Sequence, residues 1–308
     1  MRFFLITGDN DDPLTCLAIS PDGSRCLAGS AGGRLFRYEM DCTSLEPMAL
    51  PRRYEAIEAI GFSGAGPEAL MAARVAAGKA DLLRVLAAGT TQLLYPDAPH
   101  PLSALALSRD GTRGLLCAGG QMLRYYPDQT SYLPVETPEG ILLRAVAFRG
   151  DALEALATGG SRTGGFLARY EPRPDAGRLV PLPTPPCGEL LSAAWAPTGG
   201  AGLAGGQDGT LLALDAAFAV RQLEPMTGRA VHGLAFHPSG GWALAACGAA
   251  PGSSKGAQLA RIELPSGRVT SVYEGPPGAG AFTAVAVTPD GQGAVAATEW
   301  GQLVAVAF

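Results

Sequence analysis

Three kinds of residue in this 308-residue chain could do chemistry: cysteines, histidines, and clusters rich in oxygen ligands or glycine. Cys16, Cys26, Cys42, Cys117, Cys187 and Cys247 stand singly, and the absence of a C-x-x-C pair excludes a zinc ribbon or a thioredoxin-like site. Cys16, Cys26, Cys117 and Cys247 lie in Ala- and Leu-rich runs, where a thiol serves as a small hydrophobe. No G-x-S-x-G occurs, so no serine is marked as a nucleophile with its base and orienting acid. His232 and His237 flank one strand, about 16 Å apart at ~3.3 Å per residue, too far to share a metal. Asp9, Asn10, Asp11 and Asp12 lack the glycine and glutamate spacing of a calcium loop and read as a solvated connection. The stretches 29–33 (GSAGG), 159–165 (GGSRTGG) and 205–209 (GGQDG) open no helix and lack the Lys-Ser/Thr of a phosphate loop. They read as hairpin turns that need positive φ. The expectation is therefore no catalytic residue, no metal and no cofactor.

Charge narrows the partners. A formal net charge of −5, from 23 basic and 28 acidic residues, argues against a general nucleic-acid binder or a polybasic membrane module. No apolar run is long enough for a membrane span, and residues 1–7 are too short for a secretory signal, so a cytoplasmic protein is expected. Only 17% of residues are charged, against 42 Gly and 25 Pro, a balance that points to short strands and tight turns.

The elements that must position any site repeat along the chain. Residues 14–23 read LTCLAISPDG, 102–111 LSALALSRDG, 231–240 VHGLAFHPSG and 282–291 FTAVAVTPDG. Looser copies begin at Ile57, Leu143 and Leu191. Anchoring each copy on Leu17, Ile60, Leu105, Val146, Ala193, Leu234 and Val285 gives steps of 41 to 51 residues. Four-stranded propeller blades have a period of ~40–50 residues. After each anchor comes a small residue (Ala18, Gly61, Ala106, Ala147, Ala194, Ala235, Ala286) and then a large one in most copies. Strand neighbours face opposite sides, so one face of this strand takes bulk and the other takes almost none. That suits an innermost strand, squeezed between blades near an axis. A small-rich second strand, a third strand such as 35–38 (LFRY) or 122–125 (MLRY), and a Pro-interrupted fourth strand complete most units. Proline is tolerated only at a sheet edge, which makes the fourth strand outermost. The seventh unit has three strands, and a spare strand precedes the first. Pairing the N-terminal strand beside the last one closes the ring.

The Ser20-Pro21-Asp22-Gly23 and Thr288-Pro289-Asp290-Gly291 turns, with the sevenfold period, resemble WD-repeat β-propellers over the whole chain, 1–308, read as one domain. The resemblance implies an all-β, seven-bladed ring of four-stranded antiparallel blades and, by analogy, a protein-binding scaffold. The repeats are degenerate. Third strands end Tyr38-Glu39, Tyr170-Glu171 or Leu214-Asp215 instead of Trp-Asp, and the Gly-His pair before the first strand is missing.

Two groups of residues remain. Arg37, Arg84, Arg124, Arg169 and Arg261 occupy one position of the third strand, where a stem packed between blades with its head on a carboxylate is favoured over a ligand ring. Loops on one rim carry Arg52, Arg53, Tyr54, Arg74, Arg162 and Trp300, types enriched at interface hot spots. Long second-to-third connections are expected at 74–81, 159–165 and 248–256. The reading is a non-catalytic scaffold for a protein or peptide partner, with those six residues on its contact face. The alternative is a small-molecule hydrolase or lyase at the axial channel mouth, which needs several acids or histidines converging there.

Overall fold

The computed structural model describes all residues other than 8–10, 65, 99, 127–130, 277 and 279; Asp9 and Asn10 of the acidic cluster lie outside the described residues. The described residues form twenty-eight strands in seven four-stranded antiparallel sheets, each arranged as a meander. The innermost strands are Leu14–Ile19, Ala56–Phe62, Leu102–Leu107, Ile141–Phe148, Leu190–Trp195, Arg229–Phe236 and Phe282–Val287, and every anchor residue lies on one of them. Each packs against the next around a closed circle, the last against the first.

The apolar pattern explains the ring. Seven buried clusters occur, one in each seam between blades. The small position is dictated by this packing. A Cβ added to Gly61 would sit 2.7 Å from Leu105 Cδ1 of the next blade. Closure runs as expected: Arg2–Ile6 pairs antiparallel with Leu303–Ala307 and becomes the outermost strand of blade 7. The seam it completes, joining Ile6, Val295 and Leu303 to Leu14, Leu17 and Phe36, is as well buried as the other six.

The turns after the innermost strands of blades 1, 3 and 7 share one geometry. Ser20 Oγ donates to Asp22 Oδ1 at 2.5 Å, and the Ser24 amide donates to the same oxygen at 3.0 Å. Ser108–Asp110 and Thr288–Asp290 repeat the pattern at 2.6 and 2.5 Å.

Two of the three long connections prove short. In blade 2 the strands Ala69–Val75 and Lys79–Val85 keep pairing up to Val75↔Lys79, across a three-residue turn in which Ala77 and Gly78 take positive φ. In blade 4, Ala155–Ser161 and Gly164–Glu171 pair up to Ser161↔Gly164. Small residues let the ladder continue and satisfy its own backbone groups, where an open loop would leave them to water. Only blade 6 keeps a real loop, between Trp242–Ala249 and Gln258–Glu263. Among the described residues, no helix is long and apolar enough to cross a membrane.

Candidate functional site

The register fixes one face of the ring. Leu14↔Ser30 in blade 1 sets the start of the innermost strand beside the end of the second strand. The same holds round the ring, so the blade-to-blade loops and the second-to-third turns share a face.

On that face every innermost strand carries a β-bulge at the same position. The ladder skips Thr15, Glu58, Ser103, Arg144, Leu191, His232 and Thr283. A bulge inserts one unpaired residue and re-aims its side chain. Seven such residues therefore ring the inner rim of this face. Sequence reasoning did not single out this column, but a signal exists. The buried pairs Leu14/Leu17, Ile57/Ile60, Leu102/Leu105 and Leu143/Val146 are spaced by three, and a regular strand requires two.

Two of the three hydroxyls in this ring bond the scaffold, and the third, Thr283 Oγ1, is buried without a hydrogen-bond partner among the described residues. Thr15 Oγ1 donates to Gly29 O at 3.1 Å and to Ile57 O of blade 2. Ser103 Oγ donates to Leu143 O of blade 4 at 3.1 Å. The charged members are engaged. Arg74 Nη1 lies 3.0 Å from Glu58 Oε1, and Arg144 Nε lies 2.7 Å from Glu189 Oε1 of blade 5. Burial holds the His232 imidazole below the usual histidine range, towards its neutral form.

The six expected contact residues divide. Arg52 donates through Nε and Nη2 to Asp81 at 2.9 and 2.5 Å, and Asp81 is fully buried. Tyr54 is only 7% exposed and gives its hydroxyl to the same carboxylate at 2.9 Å; burial and that carboxylate push its pKa up and keep the phenol protonated. The Asp97 amide is the fourth donor, at 2.9 Å. Arg52 and Tyr54 thus clamp the loop between blades 1 and 2; Tyr54 lies beneath the surface. Arg74 is taken up by Glu58. Arg53 is exposed, Arg162 stands in the blade 4 turn, and Trp300, 41% exposed, stands in the blade 7 turn. Among the described residues no hydrogen bond or ion pair joins Arg162 or Trp300 to the others.

The third-strand arginines are structural. Arg37 pairs with Glu46 at 2.8 Å and Glu39 at 3.2 Å, and Arg84 with Glu68 at 3.7 Å. Arg169 pairs with Glu171. Arg261 bonds Glu263 at 2.6 Å while its guanidinium covers the Trp242 ring at 4.3 Å. Arg124 is buried and donates to the Arg173 and Asp175 carbonyls of the next blade.

Burial pushes the thiols of Cys16, Cys26, Cys117 and Cys247 up to about 12, so they are protonated at neutral pH and poor nucleophiles. Among the described residues, no group of three or more His, Cys, Asp or Glu is placed to hold a metal ion.

Comparison with known proteins agrees with the architecture. The family model for the WD domain, G-beta repeat, matches residues 3–38. No curated protein matches the chain. Among solved structures, Kuenenia stuttgartiensis hydrazine synthase is similar with a TM-score of 0.75 and 13% identity, over 98% of this chain and 97% of that one. In all 1661 solved chains match, so the likeness locates a fold and not an activity. The matched repeat, the seven four-stranded sheets and the strand-closed ring make the chain a WD-repeat-like seven-bladed β-propeller.

Proposed function

We propose that the protein is a non-catalytic scaffold that presents the bulge-ringed face to a protein or peptide partner. One observation carries this reading. Exposed Arg53, Arg162 and Trp300 stand around a mouth whose charged side chains, Glu58 and Arg144, are already paired. Arginine and tryptophan offer large, specific contacts, and a rigid ring loses little freedom when it binds. An active site at the mouth would instead need several acids or bases converging for proton transfer, and among the described residues His232 is the one titratable bulge residue outside an ion pair. Arg52, Tyr54 and Arg74 contribute by holding the loops in place.

The test is affinity capture of the tagged protein from its own lysate, with the bound proteins identified by mass spectrometry. Wild type is compared with an Arg53→Glu/Trp300→Ala variant. The reading predicts a partner lost from the variant while the melting curve stays the same. Equal capture by both proteins sinks it. Arg52 is left untouched, because a carboxylate beside buried Asp81 would unfold the loop.

A further inference from the structure

The outermost strands of the seven blades are unequal. Six are blunted against edge-to-edge pairing. Glu46–Met48, Thr91–Ala98, Ser131–Pro134 and Arg178–Pro181 each contain proline. Val220–Gln222 is three residues long with a central arginine, and Val269–Glu274 carries a bulge at Val272 and ends in an acid. These are the usual devices that protect an edge. The seventh, Arg2–Ile6, reads RFFLI. It has no proline, and its register to Leu303–Ala307 runs without a bulge. It exposes Phe4 and Leu5 to 53% and 58%, with Phe3 partly exposed beside Tyr273. The strand that closes the ring is also its only unguarded outer edge among the described residues.

We infer that Arg2–Ile6 is a self-association edge, pairing antiparallel with the same strand of a second copy about a two-fold axis at Phe4. Two features favour a second copy as the occupant. The strand is self-complementary: a two-fold axis at Phe4 sets Phe4 against Phe4 on one face and Phe3 against Leu5 on the other. The area fits a weak dimer. The exposed parts of Phe3, Phe4, Leu5 and Tyr273 amount to roughly 400 Å² of apolar surface per copy, at ~200 Å² per large side chain, the low end of specific interfaces. Association is therefore weak and concentration-dependent.

Sedimentation velocity over about 1 to 200 µM tests this. Wild type should move from one to two monomer masses. Phe4→Lys and Leu5→Lys should remain monomeric with the wild-type melting curve, and Leu93→Lys, on the outer strand of blade 2, should dimerise like wild type. A second measurement does not depend on those variants folding well. Phe4→Cys in a Cys42→Ser background should oxidise to a disulfide-linked dimer, because directly opposed residues of an antiparallel pair bring their Cβ atoms within bonding range. A wild type that stays monomeric, a dimer indifferent to Phe4→Lys, or a Phe4→Cys protein that does not cross-link overturns the inference.

Discussion

The two mouths of the ring are built by opposite rules. At one, the turns after the innermost strands repeat the same Ser/Thr–Asp bond in blades 1, 3 and 7. Pro21, Pro197, Pro238 and Pro289 stand at equivalent turn positions and line a vestibule of about 870 Å³. At the other, seven equivalent bulges carry Thr15, Glu58, Ser103, Arg144, Leu191, His232 and Thr283. The first mouth is the more uniform because blades 1, 3, 5, 6 and 7 make the same tight turn, with an i to i+3 backbone bond ending on Gly23, Gly111, Gly199, Gly240 and Gly291. The second is free to vary because a bulged residue owes nothing to the ladder. In a repeat protein, uniform columns describe the scaffold and divergent columns describe what the scaffold displays.

That contrast can be attacked through the groups that support each face. The largest effect is expected at Asp81. Alanine there strands the buried Tyr54 hydroxyl and releases Arg52, at a cost of about 3 kcal/mol, read as a lower melting temperature. The bulge ring gives a smaller effect. Thr15→Val or Ser103→Ala removes a hydroxyl bond to the next blade and should cost about 1 kcal/mol in urea unfolding.

Two pH effects sharpen the comparison further. His232, on the divergent face, is held below its ordinary 6.5 by burial, so the unfolded chain takes up its proton first. Its contribution is intact above pH 6.5 and falls as the pH drops below it. His232→Gln should flatten the stability curve just below that point. On the uniform face, the Ser20 hydroxyl and the Ser24 amide hold Asp22 at about 2, well under its ordinary 3.8. Its contribution is present above that ordinary value and disappears as acid protonates the folded carboxylate, between about pH 4 and pH 2. Asp110 and Asp290 are lowered by the equivalent hydroxyls. Asp22→Asn, combined with the same change at 110 and 290, should flatten acid unfolding in that window and leave the slope near pH 6 alone.

Much of the architecture was legible before any coordinates. The small residue after each anchor and the Pro-Asp-Gly turns are local demands, so they recur at a readable period. Gly61 against Leu105 is that demand in atomic form. The site was legible only in part. Arg53, Arg162 and Trp300 lie on the shared face because topology puts them there. Tyr54 does not face outward, because its partner Asp81 lies on the strand Lys79–Val85, 27 residues away. Arg144 likewise finds Glu189 across a blade seam, 45 residues on. Pairings at that separation depend on how blades stack, and no local pattern records them. The bulges were detectable as a three-residue spacing of buried positions, a break in strand period that is easily taken for ordinary variation.

The central claim is that binding belongs to the divergent face. The most direct measurement is the affinity of a captured partner for two variants of equal melting temperature, Arg53→Glu/Trp300→Ala on the bulge-ringed face and Arg109→Glu at the opposite mouth. The account predicts at least a tenfold loss for the first, about 1.4 kcal/mol or more, and wild-type affinity for the second. Loss confined to Arg109→Glu, or equal affinity for both, would contradict it.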